Sequence, residues 1–112
     1  MPIEKWSEQV TIAHLGSDPH LSDDLATLFD PAMHKSGDVV LDFSGVKYVN
    51  SSNIARLLKL RKRQISEGHG LVLCAIDPQV WTAFLVTGLD KVFDFTESVP
   101  TALAAVQLAQ RP

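Results

Sequence analysis

Residues 38–58 read DVVLDFSGVKYVNSSNIARLL, and this stretch determines the predicted fold. Its first part, Asp38–Phe43, is almost continuously apolar, which is typical of a central strand covered on both faces. Its last part begins a helix, because Ile54, Leu57 and Leu58 recur at intervals of three and four. A buried strand that leads through a polar segment into an amphipathic helix indicates an α/β fold with a parallel sheet.

The same alternation of strand and helix extends through the rest of the chain. The predicted strands, each rich in β-branched or aromatic residues, are Val10–Leu15, Asp38–Phe43, Leu71–Ile76 and Val92–Phe95. The predicted helices begin at residues whose side-chain oxygens suit an N-cap, which are Ser22, Ser51 or Ser52, Asp77 and Ser98. Pro31 should end the first helix near Phe29, with a separate turn over Ala32–His34. Gly68 and Gly88 should end the second and third helices. This order predicts one small, mostly parallel sheet flanked by helices.

Length and composition fit a single domain over residues 1–112. The chain is 46% hydrophobic and 21% charged, enough for one sizeable core. Its formal net charge of −3 gives no general attraction to nucleic acid or to anionic lipid. No run approaches the roughly 18 apolar residues of a spanning helix, and the N-terminus lacks a signal segment. With Cys74 as the single cysteine, we predict a cytoplasmic protein without a membrane span.

Residues that could bind a metal or carry catalysis are scattered. The histidines at positions 14, 20, 34 and 69 show no i, i+4 spacing and are interpreted as surface or turn residues. Cys74 lies within an apolar strand, where a thiol behaves as a small hydrophobe. The glycines around His69 join a helix to a strand, which is the reverse of the order in a phosphate-binding loop. We therefore expect no metal, no cofactor and no enzymatic activity.

The polar segment Asn50-Ser-Ser-Asn53 admits two interpretations. One Ser or Asn side chain is enough to cap a helix, so Ser51 or Ser52 could have a purely structural role. Four such residues in a row, before a helix dipole that favours negative charge, equally suit a serine that becomes phosphorylated. No general base stands beside the serines in the sequence, so the local stretch does not distinguish a switch from a cap.

Basic residues crowd the helix that follows, at Arg56, Lys59, Arg61, Lys62 and Arg63. Their long stems could simply cover the edge of the core while the charges stay solvated. They could also form a docking surface for an acidic partner, and the two interpretations are compatible. The exposed face of the helix that contains Trp81 is likewise either plain core edge or a partner contact.

Four stretches together resemble a known family. They are VVLDFSGV at 39–46, YVNSS at 48–52, GLVLCAIDP at 70–78, and the segment from Val80 through Phe84 to Leu89. In order and spacing, from Val39 to about Val106, the chain resembles a STAS domain of the bacterial anti-sigma factor antagonist family. The resemblance implies a single STAS-type domain, with a small mixed sheet flanked by helices.

The resemblance also implies a function. Ser52, the second serine of the pair, would be phosphorylated by an anti-sigma factor that is itself a serine kinase, with Ser51 as the second choice. The unphosphorylated form would bind that kinase and release a sigma factor, and a metal-dependent serine phosphatase would reverse the modification. The predicted partner-binding residues are Asn50, Ser51, Ser52, Asn53, Arg56 and Lys59. The chain would then be a binding module, not an enzyme.

Two positions depart from the family pattern, which has Asp before the serine pair and Gly after it. Asn50 keeps the size and the acceptor of the Asp without its charge. Asn53 adds a side chain where the backbone of a partner would approach. The alternative function is therefore an unmodified STAS interaction subunit of a signalling scaffold or of a transporter ATPase complex.

Overall fold

The computed structural model describes residues 3–30 and 37–109 of the chain. The elements in these ranges are β1 Ile3–Lys5, β2 Val10–Gly16, α1 His20–Phe29, β3 Asp38–Gly45, α2 Ser51–Ser66, β4 Leu71–Cys74, α3 Pro78–Val86, a 3-10 turn Leu89–Lys91, β5 Asp94–Thr96 and α4 Val99–Ala109. The strands lie in the order β1-β2-β3-β4-β5, with β1 antiparallel to β2 and every other pair parallel. The predicted α/β fold with a small, mixed, mostly parallel sheet is confirmed.

The sheet separates two apolar cores, and β3 contributes to both. Val39 and Leu41 point to the core formed with α1, α2 and α3, whereas Val40 points to the smaller core formed with α4. All three side chains are fully buried. The continuous apolar run of β3 thus follows from its central position, where helices cover both faces. None of the helices described here combines the length and apolarity needed to cross a bilayer.

Several element boundaries differ from the sequence-based predictions. α1 begins at His20, so Ser22 is not its N-cap, because the Asp18 carboxylate accepts hydrogen bonds from both the Ser22 N–H and its hydroxyl. β4 stops at Cys74, since Ala75 adopts a left-handed φ of 57°. Strand β5 begins only at Asp94, because the preceding residues close the 3-10 turn. The turn predicted over Ala32–His34 lies outside the described residues.

Other local signals are confirmed. Asp77 is the N-cap of α3, and its carboxylate accepts the Gln79 N–H at 2.9 Å. Ser98 precedes α4, and its hydroxyl accepts the Thr101 N–H at 3.4 Å. Gly68 and Gly88 follow α2 and α3 with φ values of 74° and 75°, a conformation that glycine adopts at little cost. These caps and stops could be predicted from the sequence because each one depends on contacts within a single turn.

Candidate functional site

The predicted site lies at the carboxyl edge of the parallel sheet. β2 and β3 end side by side at Gly16 and Gly45, which are paired in the register. The segment after β3 leads into α2 at Ser51, and the segment after β2 contains Asp18. Two loops that are far apart in the sequence therefore meet at the N-terminus of α2.

The two asparagines, and neither serine, cap α2. The Asn50 side chain accepts the Asn53 N–H at 2.8 Å, and the Asn53 side chain accepts the Asn50 N–H at 3.0 Å. This reciprocal pair is a capping box, with Asn50 as the N-cap and Asn53 at the third helical position. The prediction that Ser51 or Ser52 caps the helix is wrong, because both capping roles are already taken by amides.

A carboxylate from the neighbouring loop holds this capping box. The Asn50 amide donates to Asp18 Oδ2 at 3.0 Å, and the Asn53 amide donates to the same oxygen at 3.2 Å. The other oxygen, Oδ1, accepts the Ser22 hydroxyl at 2.7 Å and the Ser22 N–H at 2.9 Å. The hydrogen bond from the Ser22 hydroxyl, followed by those from the Ser22 backbone and the two amides, lowers the pKa of Asp18. Asp18 thus places a negative charge beside Asn50.

Asp18 was not among the predicted site residues. A signal for it does exist, because the turn at Gly16–Pro19 ends a predicted strand next to β3. In a parallel sheet, loops that follow neighbouring strands share one edge. The charge that Asn50 lacks is therefore present nearby, on a side chain that contacts it directly.

Ser51 and Ser52 differ sharply from Asn53 in exposure. Asn53 is fully buried, so its side chain is not available to a partner, and its predicted role as a contact residue is replaced by a structural one. Ser51 and Ser52 are both exposed. Within residues 3–30 and 37–109, neither hydroxyl makes a hydrogen bond. Both hydroxyls are thus accessible at the first turn of a helix that is capped without them.

The arginines of α2 contact the protein's own backbone. Arg56 donates to the Ser22 carbonyl at 3.1 Å, and Arg61 donates to the Val92 carbonyl at 2.9 Å. Arg63 donates to the Leu28 carbonyl, at the C-terminal end of α1. These contacts favour the structural interpretation of the arginines, because they tie α2 to its neighbours.

Lysines supply the more available positive charge on α2. Lys59 is exposed, with its ammonium 5.3 Å from the centroid of the Phe29 ring. Lys62, on the same helix, is also exposed. An acidic partner near Ser52 would therefore meet the lysines more readily than the arginines, whose guanidinium groups already donate to carbonyls.

His14 is a surface residue, as predicted, and two carboxylates also contact its ring. Its Nδ1 lies 2.7 Å from Asp42 Oδ2, and its Nε2 lies 3.1 Å from Glu4 Oε1. Carboxylates only accept hydrogen bonds, so both contacts are satisfied when the imidazole carries two protons. The hydrogen bond to Asp42, followed by that to Glu4, raises the pKa of His14. This ion pair ties β1 and β3 to β2.

The remaining reactive groups offer no site of their own. Burial, aided by the nearby charge of Asp42, raises the pKa of Cys74 to about 12, as expected for a thiol within an apolar strand. No group of three His, Cys, Asp or Glu residues in the described ranges has the geometry to hold a metal ion. The Asp18 carboxylate already accepts four donors and is not aimed at either serine as a base. In the described ranges, the site therefore presents two exposed hydroxyls, and the Asp18 carboxylate next to it is already engaged.

Comparison with known proteins agrees with this architecture. The model of the STAS domain family matches residues 3–102. An anti-sigma factor antagonist (STAS) domain protein from Planctomyces limnophilus is 22% identical, with a TM-score of 0.76 over 94% of this chain and 97% of that one. A chain of the stressosome, a signal integration and transduction hub, is 20% identical, with a TM-score of 0.75 over 98% and 100%. A sulfate transporter family protein from Wolinella succinogenes is 15% identical, with a TM-score of 0.78 over 94% and 90%. At these identities the structural likeness shows a shared fold.

Proposed function

The chain belongs to the STAS domain family, and from this premise we propose that it is an anti-sigma factor antagonist switched by phosphorylation. In its unphosphorylated form it binds an anti-sigma factor serine kinase in the cytoplasm and thereby releases a sigma factor. One observation carries the proposal: Ser51 and Ser52 are exposed and their hydroxyls bind no other described residue, while Asn50 and Asn53 cap the helix. A kinase can therefore reach an acceptor whose modification leaves the helix cap intact.

Ser52 is the proposed phosphoacceptor, and Ser51 is the second choice. A phosphoryl group adds about −1.5 to −2 charges and three strong acceptor oxygens. The N-terminus of α2 favours such a charge through its free N–H groups and its dipole. The domain should therefore tolerate the modification, whereas a partner that docks over the helix end meets a new, hydrated anion. A loss of partner affinity of about 1–3 kcal/mol is expected for such a coupling.

The proposed partner surface consists of Asn50, Ser51, Ser52 and Lys59, with Arg56 at its edge. Arg56 is exposed although its guanidinium also donates to the Ser22 carbonyl, so it can contribute charge without moving far. Asn53 supports this surface from below by fixing Asn50. A metal-dependent serine phosphatase would need access to the same exposed hydroxyl to reset the switch.

The test is phosphorylation by a purified candidate anti-sigma factor kinase with ATP and Mg²⁺, followed by intact mass measurement and site mapping. We expect one phosphoryl group on the wild type, none on Ser52→Ala, and one on Ser51→Ala. Ser51→Ala is a matched control because both serines are exposed in the first turn of α2. Equal labelling of wild type and Ser52→Ala would overturn the assignment of Ser52, and an unlabelled wild type would overturn the switch.

A second candidate function is an unmodified STAS interaction subunit of a signalling scaffold or a transporter ATPase complex. It is supported by the similarity in fold to a stressosome chain and to a sulfate transporter family protein. Affinity capture of the tagged protein from its own host distinguishes the two functions. Recovery of a scaffold or transporter subunit with an unphosphorylated bait supports the second function, and recovery of a serine kinase together with a sigma factor supports the first.

A further inference from the structure

A second candidate site lies at the amino edge of the sheet, opposite the N-terminus of α2. A cavity of about 520 Å³ opens between β4, β5 and the second half of α4. Asp38, Gly70, Leu71, Asp94, Phe95 and Val106 are among the residues that line it. It shares no residue with the proposed phosphorylation site, so the two can be tested independently.

Asp38 is the unusual group in this cavity. The residue is 3% exposed, and its Oδ1 accepts the Gly70 N–H at 2.6 Å. Its second oxygen, Oδ2, is buried and has no hydrogen-bond partner among the residues that the structure describes. Buried polar atoms nearly always have a hydrogen-bond partner. Burying a carboxylate oxygen without one carries an especially high free-energy cost. The missing partner is a hydrogen-bond donor, preferably one with a positive charge.

The space above Gly70 connects this carboxylate to the cavity. A methyl group built on Gly70 would have Asp38 Oδ1 at 3.4 Å and Val106 Cγ1 at 3.6 Å as its nearest neighbours. The carboxylate and an apolar wall therefore border the same position, which a methyl group would fill. The last torsion of an Asp side chain has a broad minimum, so rotation about it can bring either oxygen to that space.

The rest of the lining defines the class of ligand. The walls contributed by Leu71, Phe95 and Val106 are apolar, and Asp94 places a second carboxylate at an exposed position. No lysine or arginine occurs among the described residues that line the cavity. An anion would be repelled by both carboxylates, whereas an aliphatic chain with an ammonium head matches the walls and the acid together. We propose that this cavity binds a small aliphatic amine, with its ammonium group on Asp38.

Calorimetric titration and thermal unfolding of the whole protein, at physiological salt, test this proposal. The probes are 1,4-diaminobutane and butylamine, with butyrate and 1-butanol as matched ligands that lack the positive charge. We expect saturable heat and a raised melting temperature with the amines alone. The proposal would be overturned if butyrate or 1-butanol bound as well as the amines. It would also be overturned if amine binding did not saturate at millimolar concentration.

Three variants locate the binding. Asp38→Asn should weaken amine binding by about tenfold or more, because the charged acceptor is lost. Gly70→Ala should also weaken binding about tenfold or more, because its methyl fills the position beside the Asp38 carboxylate. The variant should still fold, because that methyl makes only ordinary van der Waals contacts. Asp23→Asn removes an exposed carboxylate of α1 and should leave binding unchanged. Equal binding by Gly70→Ala and wild type places the amine elsewhere and overturns the proposal even if Asp38→Asn fails to fold.

Discussion

Asn53→Ala tests whether the amide side chains, and not the serine hydroxyls, cap the N-terminus of α2. The Asn53 side chain is fully buried, accepts the Asn50 N–H at 3.0 Å and donates to the Asp18 carboxylate at 3.2 Å. Alanine removes both interactions and leaves the Asn50 N–H without its partner in the capping box. We expect the free energy of unfolding to fall substantially although no apolar core residue is changed.

The size of this loss follows from the two interactions. Loss of a capping interaction costs about 1 kcal/mol, and loss of a hydrogen bond to a charged group costs about 1.5–3 kcal/mol. Asp18 keeps its bonds from Ser22 and Asn50, so the lower part of the combined range applies, about 2.5–3 kcal/mol. For a domain of this size the melting temperature should fall by about 3–6 °C for each kcal/mol.

Urea unfolding, followed by circular dichroism, measures the effect against a matched control. Ser52→Ala changes an exposed residue in the same turn and should alter the free energy of unfolding by less than about 0.5 kcal/mol. The m-values should match the wild type if both variants unfold in two states. If Ser52→Ala is as destabilising as Asn53→Ala, the serine hydroxyl contributes to the cap and the reasoning about a free acceptor fails.

Three further predictions concern the rest of the fold. The two carboxylates on His14 raise its folded-state pKa above 6.5, so their stabilisation is present below that pH and is lost as pH rises through the folded value. The His14 side chain is 44% exposed, which limits the effect to below about 1 kcal/mol, and His14→Gln should flatten the pH dependence of the urea midpoint as the pH rises above 6.5. A methyl on Gly45 would lie 2.6 Å from the Leu15 carbonyl oxygen. Gly45→Ala should therefore cost about 1–3 kcal/mol in the same assay, and a wild-type urea midpoint would contradict the close strand contact. Phe84 is fully buried and makes edge contacts with three other Phe rings, so Phe84→Ala should cost about 3–5 kcal/mol, and calorimetry that shows less than about 1 kcal/mol would place the ring outside the core.

The fold could be predicted because its signals are local. The buried run of β3, the helical period of α2, and the stops at Gly68 and Gly88 each depend on neighbours within a few positions in the sequence. β1 escaped prediction because Ile3–Lys5 is too short to show a pattern. This strand forms because it pairs with Thr11–Ala13 of β2, a contact beyond the few neighbouring positions that a sequence pattern covers.

The site was only partly predictable. Its location follows from a short stretch of sequence, but the roles of its residues depend on contacts with residues far away in the sequence. The polar segment before α2 was identified from its composition. Which of its residues caps the helix depends on Asp18, which is 32 positions before Asn50 and reaches it only because β2 and β3 are neighbours. The role of Arg56 likewise depends on a distant residue, because it donates to the Ser22 carbonyl, which lies on a different helix.

The arrangement at α2 would allow the proposed modification without loss of the helix cap. The hydroxyl oxygen of a serine that caps a helix accepts a hydrogen bond from a backbone N–H. A phosphoryl group on that oxygen would disturb the cap. Here the side chains of Asn50 and Asn53 form the cap, and Asp18 holds both amides in place. Among the described residues, the serine hydroxyls between them make no hydrogen bond. Charge can then be added at the surface while the hydrogen bonds that hold α2 against the β2–α1 loop stay intact, because the two functions belong to different side chains.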